Sequence, residues 1–365
     1  MAADRFLPGL ELSERFYREA VEPLVHEHFG PVPHSAARIG SGSEVLGFDT
    51  TRSADHEWGP RLQLFLDPED TRADDVRAAL AEHLPKIFLG WPTHFATTGD
   101  GTTGDEAAGV MAPTSGPVDH RVEITDLGSW FDRQLGFDPR AGVTAADWLA
   151  APTQRLLETT AGAVFHDGLG QLTPARAELR WYPDDVWRHV LACQWLRISQ
   201  EEAFVGRCGE VGDELGSAVV AARLVRDLMR LRLLLDRRYP PYSKWLGSAF
   251  ARYAELVPVL RAVLAAGNWR EREEHLVVAY EHVARVCDGL GLAEPVDPAV
   301  RWYHDRPFRV LRADRFTRAL AAAVTDPEVA ALPLVGAVDQ FVDSTDVLSH
   351  PARLRGLAFR AVAAH

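Results

Sequence analysis

Polar and apolar positions alternate over residues 61–66, RLQLFL, and again within 118–125, VDHRVEIT. Alternation throws successive side chains to opposite faces, so each stretch reads as a β-strand. Around them the period lengthens. Phe16, Tyr17, Leu24 and Val25 recur at helical spacing in a helix that opens near Leu12 and Ser13, with Ser13 as its N-cap, and stops at Gly30 and Pro31. Residues 74–84 form a second helix. Arg38 and Ile39 end a short strand and lead into a glycine-serine turn, and residues 97–109 are a polar loop. These elements predict an α/β unit over roughly the first 135 residues.

From about Ala145 the pattern becomes mostly helical. Residues 214–238 form a long amphipathic run with Leu215, Val219, Val225, Leu228 and Leu235 among its apolar positions, closed by Tyr239, Pro240 and Pro241. Leu276, Tyr280, Val283 and Cys287 share one face of a helix over 271–288, which Gly289 ends. Further helices are expected over 315–324 and 335–348. The predicted architecture is therefore α+β: a mixed sheet with flanking helices over residues 1–140, then a helical domain over 141–365.

Composition narrows the function. The 365 residues are 47% hydrophobic and 25% charged, an ordinary globular mix. The formal charge of −13 opposes an extended nucleic-acid track or an anionic membrane surface. Three scattered cysteines, Cys193, Cys208 and Cys287, have no zinc-ribbon or disulfide-framework spacing. The N-terminus lacks the apolar core of a secretory signal, and no apolar run is long enough for a span, so a cytoplasmic protein is expected.

Chemistry concentrates in residues 40–61, GSGSEVLGFDTTRSADHEWGPR. Gly42 and Gly47 have P-loop spacing, but Phe48 and Asp49 stand where Lys and Ser/Thr would touch phosphate and magnesium. The third glycine of a dinucleotide fingerprint is missing too. What remains is a turn of Gly40, Ser41, Gly42 and Ser43, then Asp55 and Glu57 one residue apart, then Glu123 on a later strand. Small residues let a triphosphate approach backbone N–H groups. On an extended chain Asp55 and Glu57 point to one face while His56 points away. Two carboxylates about 4 Å apart repel by roughly 4 kcal/mol at an effective dielectric of 20, a cost that magnesium offsets by binding carboxylate and phosphate oxygens together. Glu123 would join the metal site or take a proton from an attacking hydroxyl. The simpler reading of an acid-x-acid pair before a strand is a solvated edge.

The segment resembles the signature of the nucleotidyltransferase superfamily, which includes the antibiotic nucleotidyltransferases and polymerase-beta-like enzymes. More closely, DHEWGPR, YPPYSKWLGSAF from Tyr239 and GAVDQFVDSTD from Gly336 resemble a bacterial branch of it catalogued as a domain of unknown function. Glu57 departs from the superfamily pattern, where aspartate is commoner. The resemblance implies a helical domain closing over the nucleotide and transfer of a nucleoside monophosphate, by default from ATP, to an acceptor. It implies two magnesium ions held by Asp55, Glu57 and Glu123, a triphosphate held by Ser41 or Ser43, and Glu123 as activator of the acceptor hydroxyl.

In the helical half, Lys244 follows two prolines and sits among aromatics, where it can meet the triphosphate or lie on the surface. Tyr242 and Trp245 either stack on a base or pack a helix. Arg223, Arg226 and Arg230 share a helix face, an anion-facing strip or a salt-bridged surface. Asp339, Asp343 and Asp346 fall on one side of the helix expected over 335–348 and suggest a cationic partner. Three functions compete: transfer to a small molecule, transfer to a protein side chain, and a nucleotide-binding regulator without turnover. The acidic chain and intact acid set favour the first.

Overall fold

The computed structural model describes residues 6–98 and 108–348, apart from the side chains of Asp55, Thr97, Thr98, Ala108 and Asp346. In chain order, the first part holds α1 (Gly9–Phe16), α2 (Glu22–Phe29), β1 (His34–Arg38), β2 (Arg61–Leu66), α3 (Ala73–His83), β3 (Ile87–Phe88), β4 (Trp91–Pro92), β5 (Phe95–Thr98), β6 (Ala108–Met111), β7 (Arg121–Thr125) and α4 (Leu127–Leu135). The chain continues through α5 (Ala145–Ala150), α6 (Thr153–Thr160), β8 (Ala163–Asp167) and α7 (Leu172–Glu178). It ends in helices α8 (Asp184–Glu201), α9 (Phe204–Glu210), α10 (Glu214–Leu235), α11 (Ser243–Phe250), α12 (Val257–Ala265), α13 (Trp269–Gly289) and α14 (Asp314–Ala322), with shorter elements after them. The fold is thus a mixed sheet followed by a predominantly helical region.

Two compact units divide the chain: Met1–Gly142 with Arg155–Arg180, and Val143–Gln154 with Trp181–His365. The expected split at 140 is corrected in one respect. Residues 155–180 return to the first unit, because β8 completes its sheet. That sheet runs β7-β2-β1-β8, with β1 antiparallel to both neighbours and β2 parallel to β7. Arg61 is in register with Arg121, and Gln63 with Glu123. Leu62, Leu64, Leu66, Val122 and Ile124 enter the core with Leu12, Phe16, Tyr17, Val21 and Val25 of the N-terminal helices. The period of two sends Arg61, Gln63, Phe65, Arg121 and Glu123 to the opposite face. There Phe65 meets Trp130 of α4 edge to face.

The expected N-terminal helix differs at its start. It begins at Gly9, leaving Ser13 buried inside it, and a π-helical turn at Tyr17–Val21 separates α1 from α2. Pro23, which has no N–H to give, lies in the first turn of α2. Gly30 stops α2 at φ 70°, a conformation that glycine takes without strain.

In the second unit, α8 and α14 pack through stacked Trp195 and Phe316, and Thr317 Oγ1 donates to the Ala192 carbonyl. Buried Glu202 accepts the amides of Leu311, Arg312 and Ala313 just before α14, whose N-cap residue Ala313 has no capping side chain. The helix expected over 335–348 does not form. A 3-10 turn at Val338–Gln340 and a short helix at Thr345–Leu348 take its place.

Candidate functional site

One end of the first unit's sheet, where β1 finishes and β2 and β7 begin, opens into a cavity of about 340 Å3. Gly40 and Ser41 line it after β1, Arg61 and Gln63 from β2, and Arg121 and Glu123 from β7. Helix α4 adds Trp130, Arg133 and Gln134, residues three and four apart that share a face. Asp126 fixes the start of α4 by accepting the Ser129 amide at 2.8 Å.

The turn is shaped by arginines. Arg38 donates to the carbonyls of Ile39 at 2.7 Å and Ser41 at 2.5 Å. Arg38 and Arg61 both donate to Oε1 of Glu44, at 2.7–2.9 Å. The Arg38 and Glu44 side chains are 3% and 2% exposed. Burial alone would raise the Glu44 carboxyl, but the two guanidiniums outweigh it and hold the group below the usual carboxylate range. Burial and the nearby Arg38 charge push Arg61 down to about 10. Gly42, at φ 155°, has no room for a Cβ: that space holds the ends of Arg38, Arg61 and Glu44. The glycine is therefore needed for the ion cluster itself. Asp49 accepts the Gly9 amide and the Trp58 indole N–H, tying the stretch to the start of α1. The conspicuous DHEWGPR thus supplies a core tryptophan and a paired arginine.

The geometry expected of Asp55 and Glu57 is corrected. Asp55 ends a 3-10 turn at Thr51–Asp55, and Glu57 sits in the left-handed region at φ 46°, so the two do not lie on an extended chain. The Asp55 side chain lies outside the described residues. Glu57 is anchored to β6: its Oε1 accepts the Gly109 amide at 2.6 Å and its own amide donates to the Gly109 carbonyl. Arg61 lies 3.4 Å from its other oxygen and Arg121 4.0 Å from Oε1. Glu123 does project from β7 into the cavity, where Arg133 donates to it at 2.7 Å.

Of the three acids expected to hold magnesium, Glu57 and Glu123 pair with guanidinium cations, and the Asp55 side chain lies outside the described residues. Four guanidiniums, Arg38, Arg61, Arg121 and Arg133, face three carboxylates, Glu44, Glu57 and Glu123, and among the described residues the amides of Ser41, Gly42 and Ser43 have no acceptor. His120 is also on the wall. Burial pushes its imidazole below the usual range, and its Nδ1 accepts the Val122 amide.

Sequence reading placed Gly40, Ser41 and Glu123 at this cavity but missed all four arginines. Arg61 opens the strand predicted at 61–66 and Arg121 lies within the stretch read at 118–125, yet only the parallel register brings them side by side. Gly42 and Ser43 adjoin the lining without belonging to it. Lys244 belongs to the second unit, exposed in the first turn of α11, with its Nζ 4.9 Å from the Trp245 ring centre.

The arginines of α10 find acids within that unit. Arg230 and Arg226 of α10 pair with Asp339 and Asp343, and Arg223 pairs with Glu201. Asp339 also accepts the Thr153 amide and hydroxyl, at 2.7 and 3.1 Å, and Thr153 Oγ1 donates to the Pro240 carbonyl. The expected cationic partner for Asp339 and Asp343 is therefore internal. The side chain of Asp346 lies outside the described residues.

A family model described as a domain of unknown function, DUF4037, matches residues 148–246, a segment that runs from α5 through β8 into α11. No curated protein and no solved structure matches the chain.

Proposed function

We propose that the cavity of the first unit takes a nucleoside triphosphate and that the protein is a nucleotidyltransferase. It would move a nucleoside monophosphate, with ATP the first donor to test, to a hydroxyl of a small acceptor and release pyrophosphate. The supporting observation is that the glycine-serine turn, Glu123 and four arginines meet at one end of one sheet. Unpaired turn amides and guanidiniums are donors for phosphate oxygens.

The ion pair Arg133–Glu123 gives this reading a mechanism. A phosphate that engages Arg133 releases the Glu123 carboxylate. Glu123 then accepts the acceptor's hydroxyl proton as that oxygen bonds to the α-phosphorus and the bond from phosphorus to pyrophosphate breaks. The remaining guanidiniums stabilise the charge that gathers on the leaving group.

Pyrophosphate release tests it. Wild type is mixed with each common triphosphate and a panel of hydroxyl-bearing small molecules, with magnesium supplied. Release with one pair is expected, and Glu123→Gln should slow it by about 100-fold or more while nucleotide still binds. Nucleotide binding without pyrophosphate under any combination would remove the transferase. It would favour a second reading, a nucleotide-binding regulator, to which the arginine partners of Glu57 and Glu123 already point.

A further inference from the structure

We infer that this cavity anchors a polyphosphate through guanidinium and amide donors, without needing a divalent cation to hold it. The inference rests on the triphosphate reading above and concerns what grips the ligand.

Three features carry it. First, the donors are in place. Arg133 is 54% exposed and held at its free end by Glu123 and Thr125. The Nε of Arg121 is buried without a partner, and its guanidinium lies over the Phe95 ring. The amide of Ser41, on the cavity wall, has no acceptor among the described residues, nor do those of Gly42 and Ser43 beside it. Second, the buried cations are thinly compensated. Arg38 and Arg61 crowd onto a single oxygen of Glu44, Arg61 reaches Glu57 only at 3.4 Å, and an incoming phosphate would add negative charge beside them. Third, two of the three carboxylates assigned to a metal, Glu57 and Glu123, already hold guanidiniums. A cation entering at Glu57 or Glu123 must displace a guanidinium, whereas an anion has only to displace Glu123 from Arg133. Guanidinium–phosphate pairs are charge-assisted and bidentate, among the stronger contacts that side chains make.

Calorimetric titration of the full chain with inorganic tripolyphosphate and with ATP, in EDTA and then in magnesium, tests this. Both ligands should bind in EDTA with an affinity within about threefold of the magnesium value. Arg133→Gln should weaken that metal-free binding about tenfold. Glu123→Gln, which frees Arg133, should strengthen it several-fold; a metal ligand would give the opposite sign. Binding that appears only with magnesium, or metal-free binding weakened by Glu123→Gln, overturns the inference and leaves the transferase reading standing. No binding in either buffer overturns both. Arg121→Gln should also weaken binding about tenfold, and if that variant fails to fold, Arg133→Gln, at an exposed side chain, still decides the matter.

Discussion

Both units carry a group of arginines among acids, and the two groups are solved in opposite ways. In the second unit the pairing is one to one: Arg223 with Glu201, Arg226 with Asp343, Arg230 with Asp339. In the first unit Arg38 and Arg61 share one oxygen of Glu44, Arg61 also faces Glu57, and Arg121 approaches Glu57 only to 4.0 Å. A closed set of pairs is architecture. An open set, with four guanidiniums to three carboxylates among the described residues, is what the proposed anion site rests on. Net charge does not distinguish them, since the chain as a whole is −13. Pairing does.

The sharpest way to break the comparison is to remove the one acid on which the open set depends. Glu44→Gln leaves Arg38 buried without a counter-charge and Arg61 with only the 3.4 Å approach of Glu57, and removing one partner of a buried pair typically costs about 3–5 kcal/mol. Urea unfolding should show a loss of that order. The pH dependence has a definite sign. The folded Glu44 carboxyl is held below its unfolded value, so its contribution is complete above the usual carboxylate range and drains away as pH falls through the lower folded value. The gap between wild type and Glu44→Gln should therefore stay level near neutrality and narrow below about pH 4. A gap that widens in acid would mean that Glu44 is not the ion holding the cluster.

Asp339→Asn is the matching test in the closed set. It weakens two hydrogen bonds from Thr153 and the 3.5 Å approach of Arg230. Hydrogen bonds to charged groups contribute about 1.5–3 kcal/mol each way they are measured, so a loss within that range is expected. Triphosphate affinity, if the open set alone binds anions, should not move. A change in affinity as large as that from Arg133→Gln would place part of the binding surface in the second unit.

Much of the architecture was legible from periodicity alone. Residues 61–66 form β2 with the bounds that alternation predicts, and the helices read at 74–84, 214–238 and 271–288 are present with shifted ends. Misses arose where local pattern competes with longer-range partners. β8 was not foreseen inside a helical region, because a strand of five residues declares itself only by pairing with β1. The helix expected over 335–348 gave way where Asp339 turns inward to Thr153 and Gln340 to Gln194. At the site, Gly40, Ser41 and Glu123 were visible as residue types with a chemistry. Gly42 was visible too, but its cause is the packing of Arg38, Arg61 and Glu44 against it. The arginines were hidden because four residues 83 to 95 positions apart at the extremes, such as Arg38 with Arg121 and Arg133, share nothing in sequence until the sheet brings them together.

The smallest expected effect is also the one that separates the two kinds of cluster most cleanly. Arg226 pairs with Asp343 at 2.8 Å, but the Asp343 side chain is 79% exposed, so water competes for both charges and salt screens them. Such pairs contribute between nothing and about 1 kcal/mol. A double-mutant cycle of Arg226→Gln and Asp343→Asn should return a coupling within that range, and the coupling should fade in high salt. The same cycle on Arg61→Gln and Glu44→Gln, where both side chains are largely buried, should return a coupling several times larger that salt barely changes. If the two cycles gave equal couplings with equal salt dependence, burial would not be what distinguishes the clusters. The first unit's arginines would then be an ordinary solvated surface, without the buried charge on which the proposed phosphate binding rests.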